Sequence, residues 1–290
     1  MEINSRIYVA GHTGLVGSAI VRCLRRRGFR NILTMTHAEL DLRRQTEVVR
    51  WMLRHKPEYV FLAAARVGGI EINRTRPADF IRDNLFIAAN VIDAAHAAGV
   101  RKVCFLGSSC VYPKRSPQPI SELALLNGAL EPTNEAYAVA KIAGIVMLKA
   151  YYRQHGMASV IPMPSNIYGP GDNFDLREGH VLPALLRKFY LAKQVMSSNL
   201  EAVARDERRH GIIAPEVLAD LGIRRQQGGF DYITGKCHGC EYGVLDVPDG
   251  SLSMRMMWPK HAFCSWKRNP KQSWSTWGWD GISPFASWQN

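Results

Sequence analysis

A strand-forming run, Arg6-Ile7-Tyr8-Val9-Ala10, passes directly into Gly11-His12-Thr13-Gly14-Leu15-Val16-Gly17, and a helical pattern carrying Ile20, Val21 and Leu24 continues to Gly28. A strand, a glycine loop and a helix in that order confine a chain to few α/β arrangements. Each glycine has its own reason. Gly11 permits the tight turn, Gly14 lets backbone N–H groups approach a pyrophosphate at the helix N-terminus, and Gly17 lets the helix pack close to the strand. The loop predicts a dinucleotide site formed by Gly11, His12, Thr13, Gly14, Leu15, Val16 and Gly17, with a merely tight turn as the plain alternative.

From residue 6 to 170, short β-branched runs alternate with longer helical stretches. That pattern predicts a doubly wound α/β parallel sheet of Rossmann type, with helices on both faces. The expected strands are Arg6–Ala10, Asn31–Met35, Tyr59–Ala63, Lys102–Leu106 and Ser159–Pro164. Between them, Ala78–Ala98 puts Ile81, Leu85, Ala88, Val91, Ile92 and Ala95 on one helical face and stops at Gly99, as a crossover helix does. Right-handed crossovers would direct a ligand to the carboxyl ends of the strands.

The 290 residues suit one large domain or two unequal ones. No run of about 18 apolar residues is present to span a bilayer. The N-terminus has an early acid and no apolar stretch for export, so a cytoplasmic protein with free thiols is expected. The 37 Lys and Arg against 25 Asp and Glu give a net charge of +12. The excess is dispersed, without a dense basic tract. It fits a nucleotide ligand better than nucleic acid or a membrane, beside the alternative of a solvated basic surface.

The second expected strand ends Thr34-Met35-Thr36-His37 without a carboxylate to bind ribose hydroxyls. His37 and nearby arginines accommodate a phosphate, which favours NADP over NAD. Asp41-Leu42 follows as either an adenine contact or a helix N-cap. Tyr137 and Lys141, spaced i, i+4, share a helix face, where an ammonium could lower the tyrosine pKa and also hold a nicotinamide ribose. Just beyond the fourth strand, Gly107-Ser108-Ser109-Cys110-Val111-Tyr112-Pro113 supplies hydroxyls able to polarise a carbonyl.

With these motifs on one chain, residues 5 to 193 resemble the extended short-chain dehydrogenase/reductases. Further pieces of the resemblance are Leu62-Ala63-Ala64-Ala65-Arg66-Val67-Gly68-Gly69-Ile70, Pro164-Ser165-Asn166-Ile167-Tyr168-Gly169-Pro170, Asp172-Asn173-Phe174 and His180-Val181-Leu182-Pro183-Ala184. Within that family the likeness is to the branch that epimerises and reduces GDP-4-keto-6-deoxy-D-mannose with NADPH, and such members pair as homodimers through two long helices, here Ala78–Ala98 and Asn134–His155. The resemblance implies that Tyr137 gives a proton to the 4-keto oxygen, Ser108 binds that oxygen, and Lys141 tunes the tyrosine. It makes Cys110 and His180 the epimerisation pair. Leu106, Gly107, Ser108, Ser109, Lys141, Pro164, Ser165, Asn166, Ile167 and His180 would line the cofactor, and Lys188 would touch the substrate diphosphate. Related dehydratases carry an acidic pair where Ser109 and Cys110 stand, so dehydration is not expected. The alternatives are another NADP-dependent nucleotide-sugar epimerase or reductase, and a non-catalytic NADPH-binding protein.

After Lys193 the texture changes, dividing the expected NADP-binding domain (1–193) from a divergent region (194–290) that replaces the substrate domain. The abrupt departure fits a reading-frame change near codon 194 or a separate module. A helix is expected over Glu201–Leu221, and turns at Gly239 and Gly250. Six tryptophans fall from Trp258 to Trp288. Cys237 and Cys240, followed by His261 and Cys264, make only one Cys-x-x-Cys pair, so no metal is expected.

Overall fold

Four consecutive side chains with almost no exposure, Ile7–Ala10, form β1 in the computed structural model, which describes residues 1–233. A strand buried on both faces needs partners at both edges and helices above and below. β1 pairs in parallel with β2 (Ile32–Leu33) on one side and β3 (Tyr59–Leu62) on the other. β3 pairs with β4 (Lys102–Phe105), and β4 with β5 (Ala158–Val160), giving a parallel sheet of order β2-β1-β3-β4-β5.

The crossovers run through α1 (Leu15–Arg26), α2 (Gln45–His55), α3 (Ile70–Thr75), α4 (Pro77–Ala97) and α5 (Glu135–His155). Strand addition reverses direction at β1. With right-handed crossovers, that reversal puts α1 on one face and the adjoining helices α2, α4 and α5 on the other. The sheet is thus doubly wound, of Rossmann type, and its switch point lies between β1 and β3. The core sets Val60, Leu62, Val103 and Phe105 of the sheet against Val48, Met52, Val91, Ile92, Ile145 and Leu148 of the helices.

Two strands are shorter than expected. β2 is an edge strand of two residues rather than Asn31–Met35. β5 ends at Val160 because Pro162 and Pro164 have no N–H to extend a ladder. Their carbonyls nevertheless accept from Gly107 N and Ser109 N, each at 3.0 Å, so the chain stays extended beside the end of β4.

The chain divides into two compact units between Lys188 and Phe189, within α6 (Val181–Met196). In the second unit, α7 (Leu200–His210) and α8 (Pro215–Asp220) replace the single helix expected over Glu201–Leu221. Gly211 takes a φ of 93° and Pro215 cannot donate an N–H, so the helix stops and restarts. A hairpin of β6 (Ile223–Gln226) and β7 (Gly229–Tyr232) follows, with Tyr232 OH donating to Val195 O at 3.1 Å. Glu207 accepts the Ile213 N–H at 2.8 Å and pairs with Arg225. The turns at Gly239 and Gly250, the Cys237 and Cys240 pair with His261 and Cys264, and the tryptophans from Trp258 onward lie outside the described residues. Among the described residues, no helix is long and apolar enough to cross a membrane.

Candidate active site

β1 delivers the glycine loop to the switch point. Gly11 has a φ of 80°, and a Cβ there would stand 2.6 Å from Ala64 N on the neighbouring loop. A Cβ on Gly17 would stand 2.6 Å from the Gly11 carbonyl carbon. These two glycines are therefore demanded by the protein's own packing. Gly14 is different: its Cβ would meet nothing closer than the Gly11 oxygen at 3.5 Å, and its φ is an ordinary −77°. The space over Gly14 is open, no side chain caps α1 and no acid stands in its first turn. Nearby, His12 Nδ1 is buried without a hydrogen-bond partner. Open backbone above an uncapped helix N-terminus, together with an orphaned ring nitrogen, fits a pyrophosphate. Thr13 is exposed at the top of the loop, and Leu15 and Val16 open the helix half-buried.

At the end of β2, His37 Nδ1 lies 3.7 Å from Asp41 and its Nε2 lies 3.4 Å from Arg43 Nη2. Asp41 does not cap α2, whose preceding residue is Arg44. Its carboxylate instead accepts from Arg43 Nε at 2.9 Å and Nη2 at 2.8 Å, and this guanidinium holds its pKa down to about 2. The acid after β2 is thus already engaged by a cation. Leu42 is buried in the core, and its carbonyl accepts from Asn90 at 2.9 Å.

At the end of β4 the chain brings Leu106, Gly107, Ser108, Ser109 and Cys110 beneath α5. Ser108 Oγ accepts the Cys110 N–H at 3.4 Å and so caps the short 3-10 turn Ser109–Val111. α5 sits close because residue 144 is glycine: a Cβ there would stand 2.6 Å from the Phe105 ring. That approach lets Lys141 Nζ donate to Leu106 O at 2.8 Å while lying 5.6 Å from the Tyr137 ring centroid. Burial pulls the Lys141 ammonium down to about 8, opposed by Cys110. Burial pushes the Tyr137 phenol upward, and Cys110 adds to this. The expected lowering of the tyrosine pKa by Lys141 is therefore corrected: desolvation dominates, and Tyr137 holds its proton. Burial also raises the Cys110 thiol, with Ser108 and Lys141 pulling the other way.

Pro164 runs beside Ser109, and Ser165, Asn166 and Ile167 are exposed beyond it. The next loop winds round Asp175, whose carboxylate accepts the N–H groups of Arg177 and Glu178 at 2.8 Å each. Glu178 O then accepts from Gly69 N at 3.0 Å, bringing the loop against the start of α3. His180 follows, exposed, just before α6, and Lys188 is exposed on that helix. A cavity of about 160 Å³ lies beneath, lined by Tyr168, Phe174, Pro183 and Leu186. Sequence reading passed over Asp83 and Asn84 of α4. They are nearly inaccessible polar residues that hold Arg66, and their only signal is two polar positions within a helix of apolar pattern.

Residues 7–206 match the family model described as the NAD dependent epimerase/dehydratase family. The chain is 59% identical over 190 residues to GDP-L-fucose synthase 1 of Arabidopsis thaliana, covering 66% of this chain and 59% of that one. It is 51% identical over 187 residues to GDP-L-fucose synthase of Escherichia coli, covering 64% and 58%. A solved GDP-D-glycero-L-gluco-heptose synthase from Campylobacter jejuni, determined in the presence of NADPH, superposes with a TM-score of 0.71 at 40% identity, covering 76% of this chain and 64% of that one. The chain spans about three fifths of the length of these two curated relatives. A family match over most of the chain, on a sheet whose switch point carries this glycine loop, leaves one conclusion: the chain belongs to the NAD dependent epimerase/dehydratase family.

Proposed function

We propose that the chain is an NADPH-dependent oxidoreductase with epimerase activity, converting GDP-4-keto-6-deoxy-D-mannose to GDP-L-fucose. The observation that carries this reading is the gathering of Ser108, Cys110, Tyr137 and Lys141 at the end of β4, two strands from the glycine loop at the end of β1. NADPH, when bound, supplies the hydride. Tyr137 donates its phenolic proton to the 4-keto oxygen, which Ser108 polarises with its hydroxyl. Lys141 orients the tyrosine and the nicotinamide ribose. Protons alpha to the ketone are acidic, so Cys110 removes one from one face and His180 returns one to the other, inverting C3 and C5.

Gly11, His12, Thr13, Gly14, Leu15, Val16 and Gly17 hold the pyrophosphate, while His37 and Asp41-Leu42 lie toward the adenosine. Leu106 to Ser109, Pro164 to Ile167 and His180 line the nicotinamide end, and Lys188 contacts the substrate diphosphate. Residues 1–193 act as the NADP-binding and catalytic domain, and 194–290 are a divergent region that replaces the substrate domain in the sequence. The reaction runs in the cytoplasm, where thiols stay reduced. Two copies pair through α4 and α5, where Phe86, Val139 and Val146 are exposed. Sedimentation at micromolar concentration is expected to give a dimer, and a monomer alone rejects that pairing.

A second reading, an NADP-dependent epimerase or reductase for another nucleotide sugar, is favoured by the structural likeness to the GDP-heptose enzyme. A third, an NADPH-binding protein without turnover, is favoured by the end of the family match at residue 206, short of the residues that follow. Mixing the protein with NADPH and GDP-4-keto-6-deoxy-mannose, and following loss of nicotinamide absorbance, separates them. Turnover that falls about 10²–10⁴-fold in Tyr137→Phe supports the first reading. Turnover only with another nucleotide sugar supports the second, and NADPH binding with no turnover the third.

A further inference from the structure

Asp83 lies in the middle of α4 with its side chain 5% exposed, and three guanidiniums converge on it. Arg66 Nη1 donates to Oδ2 at 2.9 Å, Arg82 Nη2 lies 2.8 Å from Oδ1, and Arg43 Nη1 lies 3.6 Å from Oδ2. Two of these arginines come from loops far apart in sequence. Arg43 belongs to the loop after β2, and Arg66 to the loop after β3. β1 runs between those strands, so the glycine loop emerges between them. Asn84 fixes the second loop further, accepting from Arg66 N at 2.8 Å and donating to Arg66 O at 3.0 Å. On the other side, Arg43 is held flat by two bonds to Asp41 and approaches His37.

A buried carboxylate shared by three cations is a costly arrangement unless it fixes something. We infer that Asp83 is a specificity-determining positioning residue: by holding Arg43 beside His37 at the end of β2, it sets the cation that selects a dinucleotide bearing a ribose phosphate. The inference rests on the dinucleotide reading of the site. The role assigned to Asp83 is positioning, without direct contact to the dinucleotide. Asp83 acts through Arg43, whose side chain is 35% exposed and whose bidentate bond to Asp41 fixes the plane of the guanidinium. Burial of Asp83 opposes its charge, yet Arg66 and Arg82 outweigh burial and keep it ionised.

The test is the ratio of NADPH to NADH dissociation constants, measured by titration on each full-length variant. A ratio on one preparation cancels any loss of folded protein. Wild type is expected to prefer NADPH. Asp83→Asn should reduce that preference at least fivefold, Arg43→Ala should do the same, and the double variant should be no worse than either alone. Asp79→Asn is the control: Asp79 meets Arg66 at 3.4 Å and Arg82 at 3.4 Å from the same helix, and its variant should keep the wild-type ratio. An unchanged ratio in Asp83→Asn with a reduced one in Arg43→Ala overturns the role of Asp83. An unchanged ratio in both overturns the role of Arg43 as well. Wild type that binds neither dinucleotide removes the dinucleotide reading itself, and the inference with it.

Discussion

Lys141 Nζ donates a 2.8 Å hydrogen bond to the main-chain oxygen of Leu106, tying the middle of α5 to the residue that follows β4. The bond fixes Tyr137, one turn earlier on α5, over the Ser108 loop. It also keeps an ammonium almost wholly out of water, a cost visible in its titration.

With its pKa drawn down to about 8 in the fold, against an ordinary value near 10.5, Lys141 destabilises the native state while charged. The unfolded chain binds the extra proton between these values, so this part of the stability is gained as pH rises from 8 to 10.5 and lost as it falls. The unfolding free energy of wild type minus that of Lys141→Met should rise by roughly 3 kcal/mol over that window. Denaturant titrations at several pH values measure it. A flat difference would remove the buried ammonium.

The three loop glycines should separate in their effects. Gly11→Ala and Gly17→Ala drive a Cβ into backbone and should each cost at least about 2 kcal/mol of stability. Gly14→Ala has room and should change stability by no more than about 1 kcal/mol. Yet it should weaken dinucleotide binding about tenfold or more, the equivalent of one charge-assisted contact of about 1.5 kcal/mol. Thermal melts and titration calorimetry on the same variants decide this, and full affinity in Gly14→Ala would contradict it.

Gly144→Ala should lift α5 off Phe105 and lower stability by about 1–3 kcal/mol. Shortening the facing ring in Phe105→Leu should recover part of that loss, so the two substitutions should couple favourably by about 1 kcal/mol in a double-mutant cycle. Strict additivity would mean that the two residues do not touch.

The raised pKa of Cys110 means that its thiolate becomes more abundant as pH climbs beyond the ordinary thiol range. Exchange of solvent deuterium into C3 and C5 of the keto sugar should therefore keep rising on the alkaline side and vanish in Cys110→Ser. NADPH oxidation with a pre-epimerised substrate should survive the same substitution. Mass spectrometry of the product separates the two, and undiminished exchange in Cys110→Ser would assign the base elsewhere.

Local spacing alone carried the sheet and its glycine loop. Arg6–Ala10 before Gly11 and the apolar face of residues 78–98 are patterns within one element, and the ends of β1, β3, β4 and α4 fall within a residue or two of where periodicity put them. The break between α7 and α8 was written in Gly211 and Pro215, yet the surrounding helical periodicity masked it. The β6–β7 hairpin was signalled only at its turn, by Gly228-Gly229 with Gly228 at a φ of 88°, because Arg224, Arg225 and Gln226 are exposed polar residues without alternation.

What only the tertiary structure decided depends on groups distant in sequence. Tyr137 and Lys141 were legible as a pair, but not that burial, with Cys110 adding to it, would raise the phenol and keep it protonated. Asp41 could be read as a cap or a base contact, and packing gave it to Arg43 instead. Asp83 looked like one more polar residue on a crossover helix until the fold brought Arg43 and Arg66 to it from opposite sides of β1. Sequence fixes bonds along the chain through periodicity and turn chemistry. Charges meet across a sheet only once strand order and burial have set which loops are neighbours and how little water remains between them.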